Sequence, residues 1–254
     1  MNVIRSMIMA LSMYTKLPMP KVEWKDENMK YAMCFFPLAG LLVAFMTVVV
    51  GIGCHALGFH RFVQCIAMTI TPILITGGIH MDGYMDTLDG LGSYGDIPKK
   101  LSIMKDPNTG AFAVIGYGVY LLAMVACFYE LPMKDYKLLL FIYIFSRILS
   151  GLSVATFPCC EDSGLLYLFA KSAQKKRVAI ILCIQAVLLT AVGIWIGGYL
   201  TIIALIVGLL VFFYYWKMSR KQFGGTSGDV AGYFLQLCEL FMLLGIVIGE
   251  RIWF

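Results

Sequence analysis

The chain is short of charge. Of its 254 residues only 14% are Asp, Glu, Lys or Arg, and 60% are apolar. Twenty basic and 15 acidic side chains cannot clothe a water-soluble globule of this length, and the apolar share stands well above that of soluble domains. The same poverty of charge excludes disorder and a solvated coiled coil. Eight cysteines are present but no Cys-x-x-Cys pair. Cys34, Cys65, Cys127, Cys183 and Cys238 lie inside apolar runs, and Cys159 and Cys160 are adjacent, a strained spacing for a disulfide. They read as small, reduced, core- or lipid-facing residues. No basic stretch alternates with aromatics, so the net charge of +5 predicts no nucleic-acid partner. The first twenty residues hold one Arg and a short apolar stretch without a small-residue cleavage site. They read as an interfacial amphipathic segment rather than a signal peptide. No internal repeat is evident.

Apolar length is what the chain has in abundance. Mean hydropathy is +0.83, and seven stretches approach the roughly 20 residues needed to cross a bilayer: 33–53, 62–79, 111–130, 138–157, 178–197, 199–216 and 233–250. Backbone polar groups in lipid must be satisfied internally, so these spans are predicted helical. The expectation is an all-α integral membrane protein, with residues 1–254 forming a single polytopic bundle of about seven transmembrane helices. Pro37 and Pro72 are kinks such a bundle tolerates. Gly197, Gly198 and Tyr199 leave room only for a tight hairpin between the fifth and sixth spans.

Lys and Arg set the orientation. With the N-terminus cytoplasmic, fifteen fall in inside segments, four outside, and Arg147 within a span. The acids follow the same geography. Asp82, Asp86, Asp89, Asp96 and Asp106 share one inside stretch that contains no Glu, and Asp229 lies on another.

Three inside elements carry candidate chemistry. The block Gly77-Gly78-Ile79-His80-Met81-Asp82-Gly83-Tyr84-Met85-Asp86-Thr87-Leu88-Asp89-Gly90 runs out of the second span. At about 100° per residue its three Asp fall within roughly 60° of one another. Left alone, that face repels itself. Hard oxygen ligands at this spacing suit Mg²⁺ or Mn²⁺ bridged to phosphate, and a solvated acidic helix end explains neither the single face nor the exclusive use of Asp. His80 points roughly 160° away, a poor ligand direction but open to a substrate hydrogen bond.

The second element, Lys105-Asp106-Pro107-Asn108-Thr109-Gly110, reads as a rigid turn presenting a cation and an anion. Lys105 is placed to neutralise phosphate and Asp106 to ligate or take a proton, unless this is an ordinary interfacial turn with a snorkelling Lys. The third, Gly224-Gly225-Thr226-Ser227-Gly228-Asp229, offers backbone N–H groups to anions ahead of a helix that Asp229 can cap, unless it reaches the metals. Arg220 lies just upstream. Within the spans, Arg147 and Glu239 either pair or free Arg147 for a diphosphate; the phosphate role is slightly favoured.

These residues resemble the cobalamin (5′-phosphate) synthase family along nearly the whole chain. The likeness rests on Thr15-Lys16-Leu17-Pro18-Met19-Pro20, Phe36-Pro37-Leu38-Ala39-Gly40, the 77–90 block, Met104-Lys105-Asp106 with Gly110, and Gly224-Gly225-x-x-Gly228-Asp229. Lys16 and Met19 depart from the expected Arg and branched residue, and Met85 from a small one. The resemblance implies a multi-pass enzyme of the prokaryotic cytoplasmic (inner) membrane, with its active-site loops cytoplasmic. It implies that α-ribazole, or its 5′-phosphate, attacks the cobinamide-side phosphorus of adenosylcobinamide-GDP and releases GMP. On that reading Mg²⁺ is the cofactor, held by Asp82, Asp86, Asp89 and Asp229. Lys105 and Asp106 join the three Asp of the ladder as catalytic groups. His80, Asn108, Arg147, Arg220, Gly224, Gly225 and Gly228 contact substrate. Besides these small molecules and the bilayer, a homo-oligomeric partner is left open.

Two other readings compete. Asp86-x-x-Asp89-Gly90 opens the motif of CDP-alcohol phosphatidyltransferases, but Ser93 and Tyr94 stand where that motif has Ala and Arg. Transporters keep their ionisable groups near the midplane, whereas the acids here crowd an interface.

Overall fold

The computed structural model describes residues 3–253. In chain order, α1 (Val3–Tyr14) and the short α2 (Asp26–Met29) precede α3 (Phe36–Ala56). Then come α4 (Arg61–Thr76), α5 (Ile79–Gly92), α6 (Ile97–Met104), α7 (Ala111–Glu130) and α8 (Leu138–Thr156). A short α9 (Gly164–Ser172) leads into α10 (Lys175–Gly197), α11 (Tyr199–Phe223) and α12 (Gly228–Trp253). Among the described residues there is no β-strand, only an isolated bridge between Cys159 and Thr226. All eight cysteines are free.

Six helices are long and apolar enough to cross a membrane, and α4 with α5 supplies a seventh candidate as a bent pair. This is a polytopic membrane bundle. The second span departs from expectation. The helix does not carry the acidic block straight out of the bilayer but breaks between α4 and α5 with a 95° turn. Gly77 and Gly78 adopt φ of 65° and 80°, a left-handed pair that only glycine tolerates cheaply. Pro72 lies inside α4 without ending it. At the predicted hairpin, Gly198 (φ 56°) alone separates α10 from α11.

Burial distinguishes the roles of the helices. Most of α8 is buried, whereas in α10 only Val178, Leu182 and Gly193 are, so α8 is the axis of the bundle and α10 faces lipid. Without a hydrophobic drive between helices in lipid, close approach at small residues holds them together. Gly40 of α3 sits on the carbonyl of Tyr143 in α8, where a Cβ would collide. Contacts also mark two ends. At one, Arg61 donates to the Phe128 carbonyl at 2.8 Å and Lys134 pairs with Glu250 at 2.5 Å. At the other lie the 77–92, 105–113, 158–164 and 224–232 segments.

Arg147 and Glu239, 1% and 2% exposed, form an ion pair linking α8 to α12, and Arg147 also donates to Ser146 Oγ at 3.0 Å and the Tyr143 carbonyl at 3.3 Å. The favoured phosphate role for Arg147 gives way to the pair, because a buried guanidinium needs a counter-charge within reach. Removing one partner leaves the other charged and alone. Glu239→Gln is therefore expected to cost about 3–5 kcal/mol, read as a lowered midpoint of thermal unfolding in detergent. An unchanged midpoint would show the pair to be energetically idle.

Candidate active site

The site begins where α5 crosses α12. At Gly83 a Cβ would lie 2.6 Å from Asp229 Cα, and at Gly232 one would lie 2.8 Å from the His80 carbonyl. The two backbones touch because neither position carries a side chain. Tyr84 stacks on Tyr233 of α12 with ring centroids 5.5 Å apart and meets Tyr120 of α7 at 5.3 Å. Helix α5 thus packs across the N-terminal halves of α7 and α12, with its acidic face beside Asp229.

Three carboxylates of that face have different fates. Asp82 is exposed, Asp86 half-buried, and among the described residues no hydrogen bond engages either side chain. Burial first, and then the charges of Asp82, Asp229 and Asp89, push the Asp86 carboxyl up to about 7. Asp89 is spent locally. It accepts from Gly110 N–H at 2.6 Å and Ala113 N–H at 2.8 Å, capping α7 where Gly110 has no side chain to do so. Asp82, Asp86 and Asp229 are the oxygens left for a cation. Among the described residues no three His, Cys, Asp or Glu already form a metal cage. An ion here would take few protein oxygens and complete its shell with phosphate and water, the habit of Mg²⁺ rather than Ca²⁺. The all-oxygen donors and their mutual crowding fit such an ion.

The Gly-rich connection departs from the expected anion cradle. Gly224, at φ 77°, ends α11 and donates to the Arg220 carbonyl, while Gly225 donates to the Ser219 carbonyl, each at 3.2 Å. Thr226 donates to the Pro158 carbonyl at 2.8 Å, and Cys160 donates back to Thr226 at 3.0 Å. A Cβ on Gly225 would lie 2.6 Å from Cys160 N. The glycines are there for close approach of two loops, so the N–H groups of Gly224 and Gly225 have none to spare for phosphate. Ser227, not Asp229, caps α12, accepting from Val230 N–H at 3.3 Å. Gly228 keeps a place on the cavity wall.

The 105–110 turn is as rigid as expected, and turned outward. Asp106 accepts from both the backbone and side-chain nitrogens of Asn108 at 2.8 Å. Those bonds hold its carboxyl below the usual carboxylate range. Both residues are exposed, and neither lines the cavity. Arg220 is exposed too, its guanidinium 5.0 Å from the Trp216 ring centroid. Lys105 alone is drawn in, pairing with Glu161 Oε1 at 2.7 Å.

Glu161 lines the candidate site although no motif marks it. Its only signal was membership of the inside segment between the fourth and fifth spans. With Asp82, Asp229 and Ser227 it lines a cavity of about 310 Å³. Tyr14 of α1 is a second such residue, because the N-terminal helix is more than an interfacial float. Tyr14 packs on Phe36 at 4.1 Å between ring centroids and stacks on His80 at 5.7 Å. His80 is 5% exposed, and its Nε2 has no partner among the described residues.

The comparisons with known proteins agree with one another. The family model described as cobalamin-5-phosphate synthase matches residues 6–247. The chain is 39% identical to the adenosylcobinamide-GDP ribazoletransferase of Lachnoclostridium phytofermentans, over 99% of this chain and 97% of that one. It is 33% identical to the protein of the same name from Clostridium perfringens, over 94% and 96%. For the Desulforamulus reducens protein the identity is 30%, over 97% and 98%. No solved structure matches. A match of this length, on a helical membrane bundle with clustered carboxylates at one end, places the chain in the cobalamin-5-phosphate synthase family.

Proposed function

We propose that the protein transfers the adenosylcobinamide phosphoryl group from adenosylcobinamide-GDP to α-ribazole or its 5′-phosphate. The new bond joins a ribose hydroxyl oxygen to the cobinamide-side phosphorus, the bond from that phosphorus to the GMP oxygen breaks, and GMP leaves. One observation carries the reading. The backbone contact of α5 with α12 brings Asp82 and Asp229 to the mouth of a cavity and sets Asp86 close beside them, where anionic phosphates need positive charge and a hydroxyl needs a base. Asp82, Asp86 and Asp229 would hold Mg²⁺, which would supply positive charge against the diphosphate and the departing GMP. A carboxylate of the cluster takes the hydroxyl proton, and Lys105 at the rim offsets charge on the leaving group. The fifteen Lys and Arg on the inside segments, against four outside, support a cytoplasmic orientation in the prokaryotic inner membrane.

Purified membranes incubated with adenosylcobinamide-GDP and α-ribazole test this. Corrinoid product and stoichiometric GMP are expected with Mg²⁺ and neither after chelation. Release of CMP from a CDP-alcohol instead would reverse the reading.

The raised Asp86 carboxyl adds a pH signature. Proton and cation compete for it, so cation binding strengthens as pH rises through about 7. Between pH 6 and pH 8 the half-saturating Mg²⁺ concentration is expected to fall about tenfold, measured by turnover and by Mn²⁺ binding. A flat profile would remove Asp86 from the ligand set.

A further inference from the structure

The cavity beside the carboxylates is small and two-natured. Its mouth holds Asp82, Glu161 and Asp229, and its floor is buried: Ser150 is 2% exposed, Val154 5%, His80 5% and Leu166 8%. About 310 Å³ is the lower end for a small-molecule site, roughly 300–1,000 Å³, and suits one nucleoside. A corrin macrocycle bearing adenosyl and GDP groups exceeds it several-fold. On the other flank of Asp82 an open groove of about 570 Å³ runs past Gly78, Met85 and Tyr117. Asp82 borders both hollows, as a group between two reactants must.

One polar atom of a residue lining the floor is unspent among the described residues. His80 Nε2 is buried without a hydrogen-bond partner, although the ring is fixed by Tyr14 and Phe36 at 5.7 and 5.9 Å. Burying a ring nitrogen unpaired is costly, and the cost is recovered if a ligand supplies the partner. Beside Ser150, the buried floor offers the apolar walls of Val154 and Leu166, which suit a flat aromatic base.

We infer that this cavity is the acceptor subsite: it takes the aromatic base of the nucleoside, with His80 Nε2–H donating to the base's unsubstituted ring nitrogen, while the corrinoid donor lies in the open groove. The inference rests on the proposed function and adds which substrate goes where. His80 here is a specificity-determining contact. Tyr14 positions it.

The test is a split of Michaelis constants in the intact membrane protein. His80→Phe keeps the stacking and removes the donor. It is expected to raise KM for α-ribazole about tenfold, the worth of one hydrogen bond, with KM for adenosylcobinamide-GDP within about twofold. For the unaltered protein, a dimethylindole riboside, with C–H in place of the free ring nitrogen, should show the same rise, and the two changes should not multiply. Leu165→Trp, at the exposed mouth, should raise KM for both acceptors and not for the donor. Equal KM for the nucleoside and its indole analogue in the unaltered protein overturns the inference, even if both variants fail to accumulate. So does a rise confined to the donor. Absence of any corrinoid product from the unaltered protein would instead bring down the functional reading, and this one with it.

Discussion

Asp82→Asn and Asp86→Asn are each expected to lower turnover by at least about a thousandfold while the protein stays folded in the membrane. Neither carboxylate makes a hydrogen bond among the described residues, and Asp86 is crowded by three like charges. Removing one charge therefore relieves repulsion in the resting protein, and thermal stability is expected to hold or rise. The loss falls on the reaction alone, where one missing electrostatic contact already costs about a hundred- to a thousandfold and an absent cation more. Asp89→Asn separates from this pair. Its carboxylate accepts two backbone N–H groups that open α7, so the amide sets a donor against a donor and the unfolding temperature drops along with activity. Rates in detergent beside melting curves distinguish the two signatures. Near-normal turnover in both Asp82→Asn and Asp86→Asn would refute the site.

Gly83→Val is the second large effect, and it acts without touching a charge. A Cβ at Gly83 would stand 2.6 Å from Asp229 Cα and 2.8 Å from its carbonyl oxygen. Both are backbone atoms, so no rotamer change relieves the contact, and α5 must move off α12. Overpacking of this kind costs about 1–3 kcal/mol. A displacement of about 1 Å between reacting groups is enough to lose about a hundredfold in rate. Activity is expected to fall about a hundredfold or more, with a modestly lowered melting temperature. Gly53→Ala is the control, because nothing lies within 4 Å of a Cβ there. Equal activity in the two variants would show that the α5–α12 contact does not set the geometry of the site.

Much of this was legible along the chain. The 111–130 span coincides with α7, and the 138–157 and 178–197 spans lie within a few residues of α8 and α10, because a long apolar run in lipid has helix as its one satisfied state. The single acidic face of 82–89 was legible for a similar reason: helical phase is a local property. Reading went astray where a local signal had two outcomes. Gly77-Gly78 looked like the tail of a span, and hydropathy does not register a backbone turning into left-handed φ. Gly224 and Gly225 looked like an anion loop, since glycine marks both exposed N–H groups and close approach. Arg147 had candidate partners of either kind, and only the opposing face of α12 selected Glu239.

The amino-acid sequence by itself determined that this is a bundle of membrane helices, which connecting segments carry the basic side chains, and that three Asp share one helical face. Each follows from transfer free energy, charge placement or helical period, quantities read within a few tens of residues. Tertiary structure decided the rest. It set which carboxylates stay open and which one caps a helix, that Glu161 reaches Lys105, and that Tyr14 walls a cavity with His80. Those facts depend on how nearly two backbones approach across twenty to more than sixty residues of chain, a distance governed by the packing of the whole bundle.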